Sequence, residues 1–203
     1  MCISGDNAAN FSHIWEKAVS HTTIYTFDSD GNAEEYADIN NSWRGAMAIW
    51  NALEQKHLPP FRPKYVPAHI PDSDIESFCR FKPKRTGSDV SDMQEIWDLV
   101  ESENVSLADK ICLATTFDNM VVRTSEIDRV IEAFRSFQGE TSLNEQADIL
   151  ERIKKEGKYI AVAWRQISVC ESPWVVYDET TEEFTPYNLN TGRKHLYLFD
   201  ELE

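Results

Sequence analysis

The sequence predicts an α+β protein in which helices pack on one face of a mostly antiparallel sheet, with a C-terminal three- to four-stranded meander. Three observations predict it. Between residues 91 and 157 apolar residues recur at helical spacing behind clear start signals. From residue 158 onward the apolar period falls to two, as in strands with one buried face. Near the N-terminus an alternating run meets an Asp-Gly turn, the strongest short-range hairpin signal. Mixed, helical and stranded parts in that order read as segregated α+β, not as alternating βαβ units. One domain over 1–203 is expected. It subdivides into a mixed part (1–58), a Pro-rich and basic connection (59–90), a helical part (91–157) and a β-meander (158–203).

Residues 11–20 read as a short helix with Phe11, Ile14, Trp15 and Ala18 on one side. "TTIYTFD" then reads as a strand, "SDGN" as a turn and "AEEYADI" as the returning strand. A helix over 42–57 would present Trp43, Ala46, Met47, Trp50 and Leu53. "PPFRPKYVPAHIP" is too rich in proline to be helical and reads as an extended connection.

Ser91 with Gln94 forms a capping box before Met93, Ile96, Trp97 and Val100. Ser106 opens the next helix. Ser125 with Asp128 opens a third, whose Ile127, Val130, Ile131, Phe134 and Phe137 make the cleanest apolar stripe, with Gly139 as its C-terminal cap. Ser142 with Glu145 opens a fourth, closed by Gly157. Beyond it, Ile160, Val162 and Trp164 share a strand face, "DETTEE" is a hairpin tip and "LNTGRK" is another turn.

The 203 residues are 41% hydrophobic and include six tryptophans, which argues against a disordered chain. No apolar run reaches membrane-spanning length, and "MCISGDNAAN" lacks the basic and apolar regions of a signal peptide. The four cysteines, Cys2, Cys79, Cys112 and Cys170, form no CxxC pair, so a cytoplasmic protein with free thiols is expected. The formal net charge of −15 disfavours direct binding to nucleic-acid phosphates and favours a protein partner with a basic surface.

Several motifs offer chemistry. Asp28 and Asp30 beside Gly31 suggest a cation loop, but an EF-hand register fails. With Gly31 as sixth residue, the first and twelfth positions fall on Thr26 and Ala37, where carboxylates are needed. An apolar strand entering D-x-D-G resembles the first motif of the haloacid-dehalogenase-type phosphatases. The resemblance implies Asp28 as nucleophile and Asp30 as general acid. It covers about six residues, and Asn32 stands where that family has threonine or valine. A hairpin with an acidic rim uses the same residues. Met-Cys at the start suggests an N-terminal nucleophile at Cys2, although Ile3 departs from the Met-Cys-Gly start of such enzymes. The histidines show no metal-ligand spacing, and there is no phosphate cradle, so no metal and no cofactor are expected.

Two charged features remain. Asp92, Glu95, Asp98 and Glu101 recur every three residues opposite the apolar side of their helix, and form a partner-binding candidate, or else a solvated face. Arg80, Lys82, Lys84 and Arg85, beside Phe78 and Phe81, form an anion-binding candidate, or else pair with the chain's own acids. The expectation is an acidic protein acting by protein–protein binding, such as an inhibitor, an immunity-type protein or a DNA mimic of phage or plasmid origin. The alternatives are a metal-dependent hydrolase or phosphatase using Asp28 and Asp30, and a homo-oligomer subunit.

Overall fold

A computed structural model describes residues 21–83, 90–167 and 172–202, the side chains of 90–92 excepted. The expected helix at 11–20 lies outside these residues, as do Cys2 and Cys170. The fold is α+β. Its main sheet has five strands in the order β2-β1-β4-β3-β7. These are β1 (His21–Phe27), β2 (Ala33–Asn40), β3 (Met120–Arg123), β4 (Ala161–Arg165) and β7 (Leu196–Tyr197). All neighbours are antiparallel except β3 and β7. A second sheet holds only β5 (Val175–Asp178) and β6 (Glu183–Pro186). The strands expected beyond residue 158 are therefore divided between two sheets. β4 enters the centre of the first, while β5 and β6 form a hairpin of their own.

Alternation along the strands sends residues to the two faces of the main sheet. Ile24, Val122, Val162 and Trp164 face the helices and join the larger core. Tyr25, Phe27, Val121, Ala161 and Ala163 face the other way, where Trp174, Tyr187 and Leu189 cover them. Thus β1 is covered on both faces, which explains why even Thr22, Thr23 and Thr26 are fully buried.

The helices are α1 (Ala46–His57), α2 (Ile75–Cys79), α3 (Val90–Trp97), α4 (Leu107–Ala114), α5 (Ile127–Ser136), α6 (Leu143–Glu156) and α7 (Leu198–Leu202). The α5 stripe is buried as its periodicity predicts: Ile127, Val130 and Phe134 are inaccessible and Ile131 nearly so. In α6, Leu143, Ala147, Leu150 and Ile153 do the same.

Local signals fare unevenly. Ser106 caps α4 by accepting the Asp109 N–H at 3.2 Å, and Gly157 ends α6 with a left-handed φ of 66°. Ser91 lies inside α3, not before it. Ser125 sits in a 3₁₀ turn ahead of α5 and caps nothing. Ser142 precedes α6 but takes the Gln146 side chain, not a backbone N–H. Helix α5 ends at Ser136, before Gly139. The helix expected over 42–57 begins at Ala46, because Ser42 and Trp43 turn through positive φ. That shift leaves Trp43 83% exposed and Met47 outside the core, while Ile49 takes an inward place.

Candidate functional site

A cleft of about 810 Å³ opens between the end of α3, the corner leading into β3, the start of β5 and α7. Its apolar walls come from Trp97, Val100, Phe117 and Trp174. Trp97 is wedged edge-on between Trp50 and Phe117, with ring centroids 6.1 and 6.4 Å away. Trp50 is fixed in turn by an indole N–H donated to Thr116 Oγ1 at 2.9 Å. The walls are thus rigid aromatic surface, not loose side chains.

Asp118 sets the corner. Its carboxylate accepts the backbone N–H of Gln166 at 2.6 Å and of Ile167 at 3.2 Å, which ties the end of β4 to the entry of β3. The Gln166 side chain donates to the Thr115 carbonyl and accepts from Thr22, which accepts from Asn41. A buried polar chain therefore holds the cleft wall to both ends of the β1–β2 hairpin. Asp118 is a structural acceptor here.

The rim carries the charge. Asp98, Glu101 and Glu201 stand there on exposed positions, with Lys194 among them. Asp98 accepts from Gln94 at 2.6 Å. Glu101 and Glu201 make no side-chain bond to another described residue. Helix α3 tightens into a 3₁₀ turn at Asp98–Val100. With three residues per turn, positions three apart eclipse, so Asp98 and Glu101 stack at the mouth. Of the predicted stripe, the structure brings these two to the cleft. Glu95 lies on α3 away from the cleft lining, and the Asp92 side chain is outside the described residues.

The other predicted sites resolve differently. Asp28 closes the β1–β2 turn: its carboxylate accepts the N–H of Asp30 and of Asn32, each at 2.9 Å, and the Asn32 side chain. Those bonds, the Asn32 N–H first, hold its carboxyl below the usual range. Asp30 offers its carbonyl to Asn188 and Asn190, which clamp the turn from the C-terminal side. Gly31 is needed for its φ of 85°. Both aspartates are thus parts of a turn. Among the described residues no set of three His, Cys, Asp or Glu side chains could hold a metal ion. Of the basic island, Arg80 ends α2 in left-handed conformation. Lys82 lies in a separate groove of about 500 Å³ beside Glu54, Asp72 and Glu76, surroundings opposite to those of an anion site. Lys84 and Arg85 lie outside the described residues.

One cluster went unread in the sequence. Asp109, on the first turn of α4, is nearly inaccessible and accepts from Lys56 Nζ at 2.7 Å and His57 Nε2 at 2.9 Å. Lys56 and His57 end α1, where a helix favours cations. Burial pushes the Asp109 carboxyl up, but the bonds from Lys56, His57 and Ser106 outweigh it and the net shift is downward. A depressed carboxylate adds stability that is present above its unfolded pKa of about 4 and is lost as pH falls through the lower folded value. Asp109→Asn is therefore expected to destabilise the protein by about 1–3 kcal/mol at pH 7. The gap between variant and parent urea midpoints should narrow below about pH 4. A gap independent of pH would show that the charge contributes nothing. Nearby Cys112 is fully buried and its thiol is pushed up by that burial, the opposite of an activated nucleophile.

No helix among the described residues is long and apolar enough to cross a membrane. Comparison of the chain with protein-family models, with curated proteins and with solved structures finds no match in any of the three.

Proposed function

We propose that this protein acts by binding a partner protein with a basic surface, and that the acid-rimmed cleft is where the partner docks. One observation carries this reading: a rigid aromatic cleft whose mouth presents carboxylates from the 3₁₀ turn after α3 and from α7, two of them without a side-chain partner among the described residues. An apolar floor attracts the stem of a long side chain and the rim attracts its cationic head, so lysine and arginine side chains fit best. The net charge of −15 adds long-range attraction for a basic partner. Inhibitor, immunity-type and DNA-mimic roles all use this chemistry, and free thiols at Cys79 and Cys112 suit a cytoplasmic setting. The hydrolase alternative gains no support from Asp28, whose carboxylate is engaged in its own turn.

Glu101→Lys combined with Glu201→Lys tests the proposal. With a basic partner captured from the source cell, the double variant is expected to associate roughly tenfold more slowly at low salt and with a flatter salt dependence. Its thermal midpoint should stay that of the parent, since both positions are exposed. Identical association kinetics for parent and variant would reduce these carboxylates to solvated surface.

A further inference from the structure

The β5–β6 hairpin leaves the body of the protein as an arm. In an antiparallel pair directly opposed residues share a face, and successive residues alternate. Val175 opposes Pro186 and Tyr177 opposes Phe184, so these four side chains form one face, apolar apart from the Tyr177 hydroxyl. Among the described residues it is also uncovered. Tyr177 is 49% and Phe184 71% exposed, with their rings 5.0 Å apart.

A lone two-stranded hairpin is marginal in water, yet this one is fixed at both ends. At the stem, Trp174 is buried against Phe27 and Tyr187, with centroids 5.4 and 5.5 Å away, and donates its indole N–H to the Trp164 carbonyl at 2.8 Å. At the tip, the Asp178 carboxylate accepts the Thr180 N–H at 2.8 Å and its hydroxyl at 2.6 Å. The exposed face is thus preformed, which lowers the ordering cost of binding.

Val175 belongs both to this face and to the cleft wall. Apolar surface therefore runs from the cleft on to the arm, with carboxylates at each end: Asp98, Glu101 and Glu201 at the mouth, Glu179, Glu182 and Glu183 at the tip. We infer that the arm is the outer half of the docking surface, and that its Val175, Tyr177, Phe184 and Pro186 face takes an extended segment of the partner in which apolar side chains alternate with lysine or arginine. This inference rests on the proposed role of the cleft. Charge complementarity names the occupant. An apolar strip bounded by acids selects an apolar segment bearing cations, and it repels a second copy of a chain with net charge −15.

The test uses synthetic peptides alternating lysine with valine, glutamate with valine, or lysine with serine. Their binding is followed by fluorescence anisotropy on the parent, on Tyr177→Ser with Phe184→Ser, and on Glu101→Lys with Glu201→Lys. The parent is expected to bind the lysine–valine peptide best. The arm variant should lose roughly tenfold toward that peptide and keep its affinity for lysine–serine, while the cleft variant should weaken toward both. An arm variant that binds lysine–valine like the parent, while the cleft variant weakens, overturns the inference and leaves the cleft reading standing. Loss in neither variant, or no binding by the parent, overturns both. Sedimentation showing a dimeric parent and a monomeric arm variant would make the arm a self-association surface and overturn the inference as well.

Discussion

Trp174→Ala is expected to cost about 3–5 kcal/mol, the range for truncating a fully buried large aromatic side chain. Trp174 is 2% exposed and fills the angle between Phe27 on β1 and Tyr187 beyond β6. Its removal opens a cavity in the smaller core, on the face of the sheet away from the described helices, which Trp174 shares with Tyr25, Phe27, Val121 and Tyr187. It also leaves the Trp164 carbonyl without the indole donor. Urea unfolding followed by circular dichroism measures the loss. Limited proteolysis should show a second effect, because the arm is rooted at Trp174 and cleavage between residues 175 and 186 should accelerate. Trp174→Phe keeps an aromatic ring against Phe27 and Tyr187 but loses the N–H and part of the indole volume, so it should cost less, about 1–3 kcal/mol. A Trp174→Ala midpoint shift worth under about 1 kcal/mol would mean that the arm root contributes no core.

Phe134→Ala is expected to cost a similar amount, about 3–5 kcal/mol, for a different reason. Phe134 is inaccessible and lies edge-on to Trp164, with centroids 6.2 Å apart, where α5 meets the centre of the main sheet. Here the surroundings are dense, since α4 and α6 flank α5, so relaxation into the cavity is limited. Ile131, one turn earlier but 9% exposed, should cost nearer the lower end, about 2 kcal/mol. The comparison is made by urea midpoints at constant m-value. Equal costs for the two would show that burial depth does not set the loss on this helix.

What was legible in the sequence was what short-range periodicity determines. The α5 stripe could be read because a buried helix face repeats every three to four residues, and no polar residue interrupts Ile127, Val130, Ile131 and Phe134. The β1–β2 hairpin could be read because Asp28, Gly31 and Asn32 meet the needs of one tight turn. The α1 face was misread at Trp43 and Met47, because the positive φ at Ser42 and Trp43 moves the helix start and periodicity carries no sign of it. The two residues of β7 are too short for any period. The cleft was half legible. The Asp98 and Glu101 spacing was visible, but Trp97, Phe117, Trp174 and Glu201 meet only through tertiary structure. The Asp109 cluster joins the end of α1 to the start of α4, and although each end obeys the charge preferences of helix termini, only the fold brings them together.

The position of β1 has a consequence for biosynthesis. On one side β1 pairs with β2, which follows within a few residues. On the other it pairs with β4, and Thr23 bonds to Arg165 across 142 residues of chain. On a ribosome the first hairpin can close early, but its inner edge then waits, with Ile24 and Phe27 uncovered, until most of the chain has emerged. Contacts of such long sequence separation also slow folding through the entropy of closing the loop. The vulnerable species is therefore the nascent chain ending between β3 and β4, which holds a finished hairpin and a helical layer with no central strand to join them. Chaperone dependence during synthesis, and aggregation of chains truncated before Ala161, follow from that one strand order.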